Sequence, residues 1–251
     1  MNRLALDTEN ISLSPAPTAF EELHDIRSLK RRRRSRNAGT PIATFTPMNY
    51  EVKYSYPLVI WLHGTAGNEH ELRQVMPWVS TRNYVAVAPQ GTWTDPRYRG
   101  RYGWRQTSET IEAAQSRIAD CISLAKRKFN VHAKRIFLVG HGSGGTMALR
   151  VGWNQPNRFA GVVAINGPLP TRLSPLRRVN EARHLPCFLA TARDSRAYPA
   201  GRVCRDLRLL HAAGCTVALR QYPGGDDLTR NMLADLDRWL MELVCGSAAA
   251  S

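Results

Sequence analysis

Short apolar runs rich in β-branched residues alternate along the chain with longer stretches in which apolar residues recur every three or four positions. The runs predict seven strands, and the stretches predict five helices. The strands are expected at IATFT (42–46), PLVIWLH (57–63), YVAVAP (84–89), RIFLVG (135–140), GVVAIN (161–166), CFLATA (187–192) and VALRQYP (217–223). The helices are expected at 69–80, 108–129, 144–154, 202–214 and 228–244. This alternation predicts an α/β fold with a mainly parallel central sheet and helices on both of its faces.

The first forty residues differ from the rest of the chain. Leu23, Ile26 and Leu29 lie three positions apart before a run of cations, as in a short helix that ends in positive charge. We interpret residues 1–41 as a basic arm, partly disordered or a short helix. Residues 42–246 are predicted to form one α/β domain and 247–251 a flexible tail.

Composition limits the function classes. The chain has 251 residues and a formal net charge of +15, which attracts nucleic acid, acidic surfaces or anionic small molecules. No apolar run reaches the roughly 18 to 20 residues that a membrane span needs. The five cysteines have no metal-binding spacing, and free thiols in a reducing cytoplasm are the simplest interpretation. We therefore expect a cytoplasmic protein with no metal and no cofactor.

Two predicted strands end in glycine-rich turns. The stretch VIWLHGTAGNEHEL places His63, Gly64 and Thr65 directly after one strand, and RIFLVGHGSGG places a second turn after another. Glycine lets a backbone turn sharply and leave its N–H groups accessible. Because ligands of parallel α/β sheets bind at the carboxyl ends of the strands, these two turns are candidate site loops.

These two stretches, followed in order by LPCFLATARDSRAYP and LRQYPGGDDLT, carry a family resemblance. Over roughly residues 50–245 the chain resembles the α/β-hydrolase fold, and within it the phospholipase/carboxylesterase family of small serine esterases. The resemblance implies hydrolysis of carboxylic esters by a serine, a histidine and an acidic residue.

The resemblance also indicates which residues stand at the three catalytic positions. The family's nucleophile is the central residue of G-x-S-x-G, and with Gly140 and Gly144 as the flanking glycines the centre is Gly142. The acid position is assigned to Asp194, and Asp226 stands where the histidine is expected. Two of the three positions thus lack the required residue type.

A serine hydroxyl attacks an ester only when a base such as imidazole removes its proton, and carboxylates are weak bases for this task. Ser143, one residue after the expected position, is the fallback nucleophile, with His63 or His141 as its base. The backbone N–H groups of Thr65 and Ser143 are expected to form an oxyanion-type site. Arg105 belongs to an arginine- and tyrosine-rich loop, residues 92–106, that could bind an anion.

Three hypotheses follow from the sequence. The first is a pseudoenzyme that binds a small-molecule ligand, an ester or an anion, or a protein partner, without ordinary Ser-His-Asp hydrolysis. The second is a weak or unconventional carboxylic ester hydrolase that uses Ser143. The third is a protein that binds nucleic acid or an acidic surface through residues 31–34 and the basic loop.

Overall fold

A seven-stranded sheet forms the centre of the protein in a computed structural model that describes residues 40–94, 96 and 99–248. Its strands are β1 (Ile42–Phe45), β2 (Tyr56–Leu62), β3 (Val85–Pro89), β6 (Val131–His141), β7 (Gly161–Ile165), β8 (Cys187–Ala192) and β9 (Val217–Tyr222). Their spatial order is β1-β3-β2-β6-β7-β8-β9. Only β1 runs antiparallel to its neighbour, so the sheet is mainly parallel.

The helices that connect these strands are α1 (Glu71–Val79), α2 (Ser108–Lys128), α3 (Ser143–Asn154), α4 (Val179–Ala182), α5 (Ala200–Ala212) and α6 (Arg230–Ala248). A short hairpin of β4 (Trp93–Thr94) and β5 (Tyr102–Gly103) precedes α2. The 21-residue helix α2 begins at a capping box, in which Thr107 and Thr110 bond each other's backbone N–H groups. The chain therefore leaves the hairpin through a well-defined helix start.

Two apolar layers cover the two faces of the sheet. Successive residues of a strand point to opposite faces, so β2 contributes Leu58 and Ile60 to one layer and Val59 and Trp61 to the other. Helices α2, α3 and α5 pack in the first layer, and α1 and α6 pack in the second. Every residue of β2 is buried, as expected for a central parallel strand covered on both sides.

The predicted α/β fold is confirmed, with all seven strands and five helices within a few residues of their predicted bounds. The hairpin, α4 and the 3-10 turn Pro156–Arg158 were not predicted, because elements of two to four residues are too short to show a period. Helix α6 continues to Ala248, two residues past the predicted domain end. Residues 1–39 of the predicted arm lie outside the described residues. Within the described residues no helix is long and apolar enough to cross a membrane.

Candidate functional site

The turn between β6 and α3 has the geometry of a nucleophile elbow, with Gly142 at its tip. Gly142 has φ 53° and ψ −120°, a conformation that is strained for any residue with a Cβ. Its N–H donates to the carbonyl of Ile165 at 2.8 Å, and its carbonyl accepts from the N–H of Thr146 at 3.1 Å. The turn is thus fixed from both sides, to β7 and to the first turn of the helix.

The glycines on either side of the tip are required by close packing. A Cβ at Gly140 would lie 2.3 Å from the backbone of Gly144, and a Cβ at Gly144 would lie 2.2 Å from the carbonyl oxygen of Leu62. A Cβ at Gly142 would instead meet only the backbone nitrogen of Thr65, at 4.0 Å. The open position is therefore 142, next to the Thr65 N–H that was predicted to face it.

Ser143, the fallback nucleophile, is the first residue of α3. Its Oγ has less than 1 Å² of solvent-accessible surface and no hydrogen-bond partner among the described residues. A nucleophile has to reach its substrate and lie within hydrogen-bond distance of a base. The Ser143 hydroxyl meets neither condition in this structure.

His63, the first candidate base, is fully buried with both ring nitrogens in hydrogen bonds. Its Nδ1 lies 2.9 Å from the carbonyl oxygen of Gly64, and its Nε2 accepts the N–H of Gly91 at 2.9 Å. The proton therefore lies on Nδ1, and burial lowers the pKa of His63 below its ordinary value. This imidazole joins two loops and has no free lone pair for a substrate.

His141, the second candidate base, points its Nε2 at the backbone carbonyl of Asp226, 3.0 Å away. Since a carbonyl only accepts, Nε2 carries the proton and the Nδ1 lone pair remains. Nδ1 lies against Gly64, where an added Cβ would be 2.7 Å away. That contact explains why Gly64 is a glycine, and it leaves His141 without a hydrogen bond to Ser143.

Asp226 accepts hydrogen bonds at both carboxylate oxygens. Ser195 Oγ donates a short bond to Oδ1, and the N–H groups of Arg196 and Ala197 point at Oδ2 from 3.1 and 3.4 Å. Partial burial by itself would raise the pKa of Asp226, but these hydrogen bonds outweigh it and hold the pKa below its usual range. Asp226 is therefore an ionised acceptor that ties the loop after β9 to the loop after β8.

Asp194 lies apart from this contact. Its side chain is 61% exposed and lies 3.4 Å from Arg193 Nε, in a surface ion pair. In a Ser-His-acid triad the acid bonds the histidine, and the residue that bonds position 226 here is Ser195, which is buried. Asp194 as the acid position stays a prediction, and in this structure its neighbour Ser195 is the residue that bonds Asp226.

Asn166 is a further residue of this site that the sequence did not indicate. It is buried and has φ 50°, a left-handed conformation that asparagine tolerates better than most residues. Its Nδ2 donates to the Asp226 carbonyl at 3.1 Å, and its Oδ1 accepts the Ala192 N–H at 2.8 Å. Asn166 thus joins the ends of β7 and β8 to the loop after β9.

The basic loop packs against the turn after β2. Tyr102 donates its N–H to the Gly67 carbonyl at 2.8 Å, and Arg101 Nη1 lies 3.3 Å from the Ala66 carbonyl.

The Arg105 guanidinium stacks on Trp93, 4.3 Å from the ring centroid, so it is held on its own hairpin. Arg97 and Tyr98 lie outside the described residues.

A cavity of about 400 Å³ opens beside His141 on the side of α1 and α6. Its wall includes Val75, Trp78 and Leu233 as apolar residues and Arg230 as a cation. The Arg230 guanidinium stacks over Trp78 at 3.5 Å from the ring centroid. The cavity combines apolar area with the Arg230 cation and the Glu71 carboxylate, whose oxygens accept from Trp61 Nε1 and the Gly64 N–H.

Comparison with known proteins agrees with this architecture. The sequence model of the phospholipase/carboxylesterase family matches residues 51–243. The carboxylesterase of Bacillus cereus superposes with a TM-score of 0.63 and 17% identity, over 82% of this chain and 96% of that one. A phospholipase/carboxylesterase from Dyadobacter fermentans superposes with a TM-score of 0.59 and 17% identity, over 81% and 97%.

A partial match joins the chain to epoxide hydrolase B of Mycobacterium tuberculosis. The two are 28% identical over 118 residues, which are 46% of this chain and 30% of the relative. The matched part is thus less than a third of that enzyme's length, whereas the family model spans most of the predicted domain, from before β2 into α6. The chain belongs to the phospholipase/carboxylesterase family of the α/β-hydrolase fold.

Proposed function

We propose that this protein is a pseudoenzyme of its family, which binds a small molecule without ordinary Ser-His-acid hydrolysis. The observation that carries the proposal is Gly142 at the tip of an intact elbow. At this position the family places its nucleophile, and glycine offers no atom that could attack an ester. The elbow geometry is present without the group that it normally presents.

The remaining two positions support the same function. Asp226 and Ser195 bond each other, so one carboxylate and one hydroxyl take the places of an imidazole and an acid. The Asp226 carboxylate has a lowered pKa and is a weak proton acceptor. Neither His63 nor His141 bonds a serine hydroxyl, because the Nε2 lone pair of His63 accepts the Gly91 N–H and the Nδ1 of His141 lies against Gly64.

The ligand proposed for this site is a small molecule with an acidic or ester group. The Thr65 N–H next to Gly142 supplies a hydrogen-bond donor. The cavity beside His141 supplies apolar area, the Arg230 cation and the Glu71 carboxylate, which is already bonded to Trp61 Nε1. Loss of the nucleophile leaves such binding groups in place. A site of this kind retains affinity for an ester or its acid product while the ester bond stays intact.

Labelling with a fluorophosphonate, followed by intact mass measurement, tests the proposal. The wild-type protein is expected to form no adduct and to hydrolyse p-nitrophenyl acetate no faster than Ser143→Ala does. An adduct that maps to Ser143, together with ester turnover that Ser143→Ala abolishes, would contradict the proposal. That result would instead establish an esterase with a displaced nucleophile.

A further inference from the structure

A second cavity, of about 430 Å³, lies between the first turns of α2 and the second half of α3. Its wall includes Ser108 and Glu112 from α2, Arg150 from α3, and Leu173 and Arg177 from the loop after β7. Arg150 is eight residues beyond Gly142, or about 12 Å along the helix axis. This cavity is therefore separate from the elbow and from the cavity beside His141.

Arg150 is the unusual residue of this cavity, because its guanidinium is buried among neutral partners. The residue is 1% exposed. Its Nε donates to Gln106 Oε1 at 3.1 Å, and its Nη1 donates to the Leu173 carbonyl at 3.2 Å. Its Nη2 has no hydrogen-bond partner in the described part of the chain. Both acceptors are uncharged, so the positive charge is not neutralised by either of them.

A buried charge without a counter-ion is costly, and buried guanidinium groups are normally paired. Burial lowers the pKa of Arg150, yet arginine stays protonated at neutral pH, so the cost is not relieved by loss of the proton. A second donor beside it, Gln106 Nε2, is also buried and has no partner among the described residues. Within this part of the chain, the two unfilled donors and the guanidinium charge call for the same group, an oxyanion.

The surroundings favour an anion at this place. Arg177, on the cavity wall, is an exposed second guanidinium. Ser108 is the first residue of the 21-residue helix α2, where the helix dipole attracts negative charge. Glu112 is the one carboxylate among the residues that line the cavity, whereas Arg150 and Arg177 are two cations. The charged groups of the cavity wall are therefore mainly positive.

We propose that this second cavity is a binding site for the oxyanion of a small molecule, a phosphate or a carboxylate, with Arg150 as the buried ligand and Arg177 as the outer one. The site is independent of the elbow. The proposal can therefore be tested independently of the proposed loss of hydrolysis, and a ligand here does not need to reach Gly142.

Isothermal titration calorimetry of the full chain tests the site, with sodium phosphate and sodium acetate titrated separately at pH 7 and constant ionic strength. We expect saturable binding of at least one anion to one site. Phosphate binding alone identifies a phosphorylated ligand, and acetate binding of comparable strength identifies a carboxylate. Absence of saturable binding of both anions would overturn the proposal.

Variants locate the binding. Arg177→Gln and Arg150→Lys should each weaken it about 10-fold, since each removes charge-assisted hydrogen bonds. Glu112→Gln should tighten it, because a like charge is removed. Arg208→Gln, an exposed arginine of α5 outside the cavity wall, is the matched control and should bind as the wild type does.

Circular dichroism shows whether Arg150→Lys is folded. If it is not, the opposite effects of Arg177→Gln and Glu112→Gln decide, since neither side chain is buried. Equal weakening in Arg177→Gln and Arg208→Gln would mean that the anion responds to overall charge alone. Unchanged binding in both Arg177→Gln and Glu112→Gln would place the anion elsewhere. Either outcome overturns the proposed site.

Discussion

The hydroxyl of Ser195 donates a hydrogen bond to the carboxylate of Asp226, and this bond joins the loop after β8 to the loop after β9. In an active triad the acid and the histidine form a bond between the same two loops. Under the proposed function, the Ser195–Asp226 bond takes the place of the acid–histidine bond. It fixes the two loops and contains no imidazole that could take a proton from a nucleophile.

The first prediction is that the scaffold regains reactivity when three residues are replaced together. The variant Gly142→Ser, Ser195→Asp, Asp226→His should form a fluorophosphonate adduct on residue 142, because the Cβ at this position has open space and the new histidine gains an acid partner. Activation of a serine by its base contributes several powers of ten in rate. Intact mass and peptide mapping measure the adduct.

The control for this prediction separates Ser195 from Asp194. The double variant Gly142→Ser, Asp226→His lacks an acid beside the histidine if Asp194 stays in its surface pair with Arg193. It should label at least about 10-fold more slowly than the triple variant, and adding Asp194→Asn should not slow it further. Equal rates in the double and triple variants would support Asp194 at the acid position.

The sequence predicted the fold well, since the periodic signals of long elements come from burial. The seven residues of β2 are all buried, and that uninterrupted apolar run marks a central strand. In the elbow, Gly142 lies at the tip of the turn, and Gly140 and Gly144 are required by backbone contacts. Packing leaves a pattern in residue type that can be recognised in one sequence.

Contacts between loops leave no such pattern. Ser195 and Asp226 are 31 residues apart, and the buried Asn166 approaches Asp226 from a third loop. Arg150 looks in the sequence like an ordinary polar residue of an amphipathic helix, yet it is buried. These loop contacts and the burial of Arg150 depend on which distant segments of the chain meet in the fold. Residue types and their spacing do not specify those meetings.

The second prediction concerns acid stability. The folded-state pKa of Asp226 is lowered, so its contribution is present above the ordinary carboxyl pKa of about 4 and is lost as pH falls through the lowered value. Asp226→Asn should lower the free energy of unfolding by about 1 kcal/mol at pH 7, since hydrogen bonds to a charged acceptor are lost. Urea unfolding at pH 7 and pH 3 should show the difference shrinking at the lower pH. Asp227→Asn, at the exposed neighbour, should show no such change.

The third prediction ranks two alanine substitutions in the elbow. Gly142→Ala meets open space but forces a Cβ residue to φ 53°, which costs about 1 to 3 kcal/mol. Gly144→Ala would place its Cβ 2.2 Å from the Leu62 carbonyl oxygen and 2.4 Å from that of His63. Both oxygens belong to the backbone at the end of β2, which cannot move without disturbing the sheet. Gly144→Ala should therefore lower the free energy of unfolding more than Gly142→Ala does, or prevent folding. Urea unfolding measures both, and the reverse order would contradict the described register.

The fourth prediction concerns His63 as a neutral link between loops. Its Nδ1–H faces the Gly64 carbonyl and its Nε2 accepts from Gly91, so heteronuclear NMR at pH 7 should show the Nδ1–H tautomer. His63→Gln should lower the free energy of unfolding by about 2 to 4 kcal/mol at pH 7.5, since it leaves two buried backbone groups imperfectly paired.

The contribution of His63 to the free energy of unfolding depends on pH with a definite sign. The pKa of folded His63 is lowered, whereas in the unfolded chain the imidazole gains a proton near pH 6.5. The stabilisation by His63 is therefore complete above about pH 6.5 and decreases as pH falls below it. Urea unfolding between pH 7.5 and 5.5 should show a loss of stability that is smaller in His63→Gln. The exposed His211→Gln should behave as the wild type does, and an equal loss in all three proteins would mean that His63 is not the group that titrates.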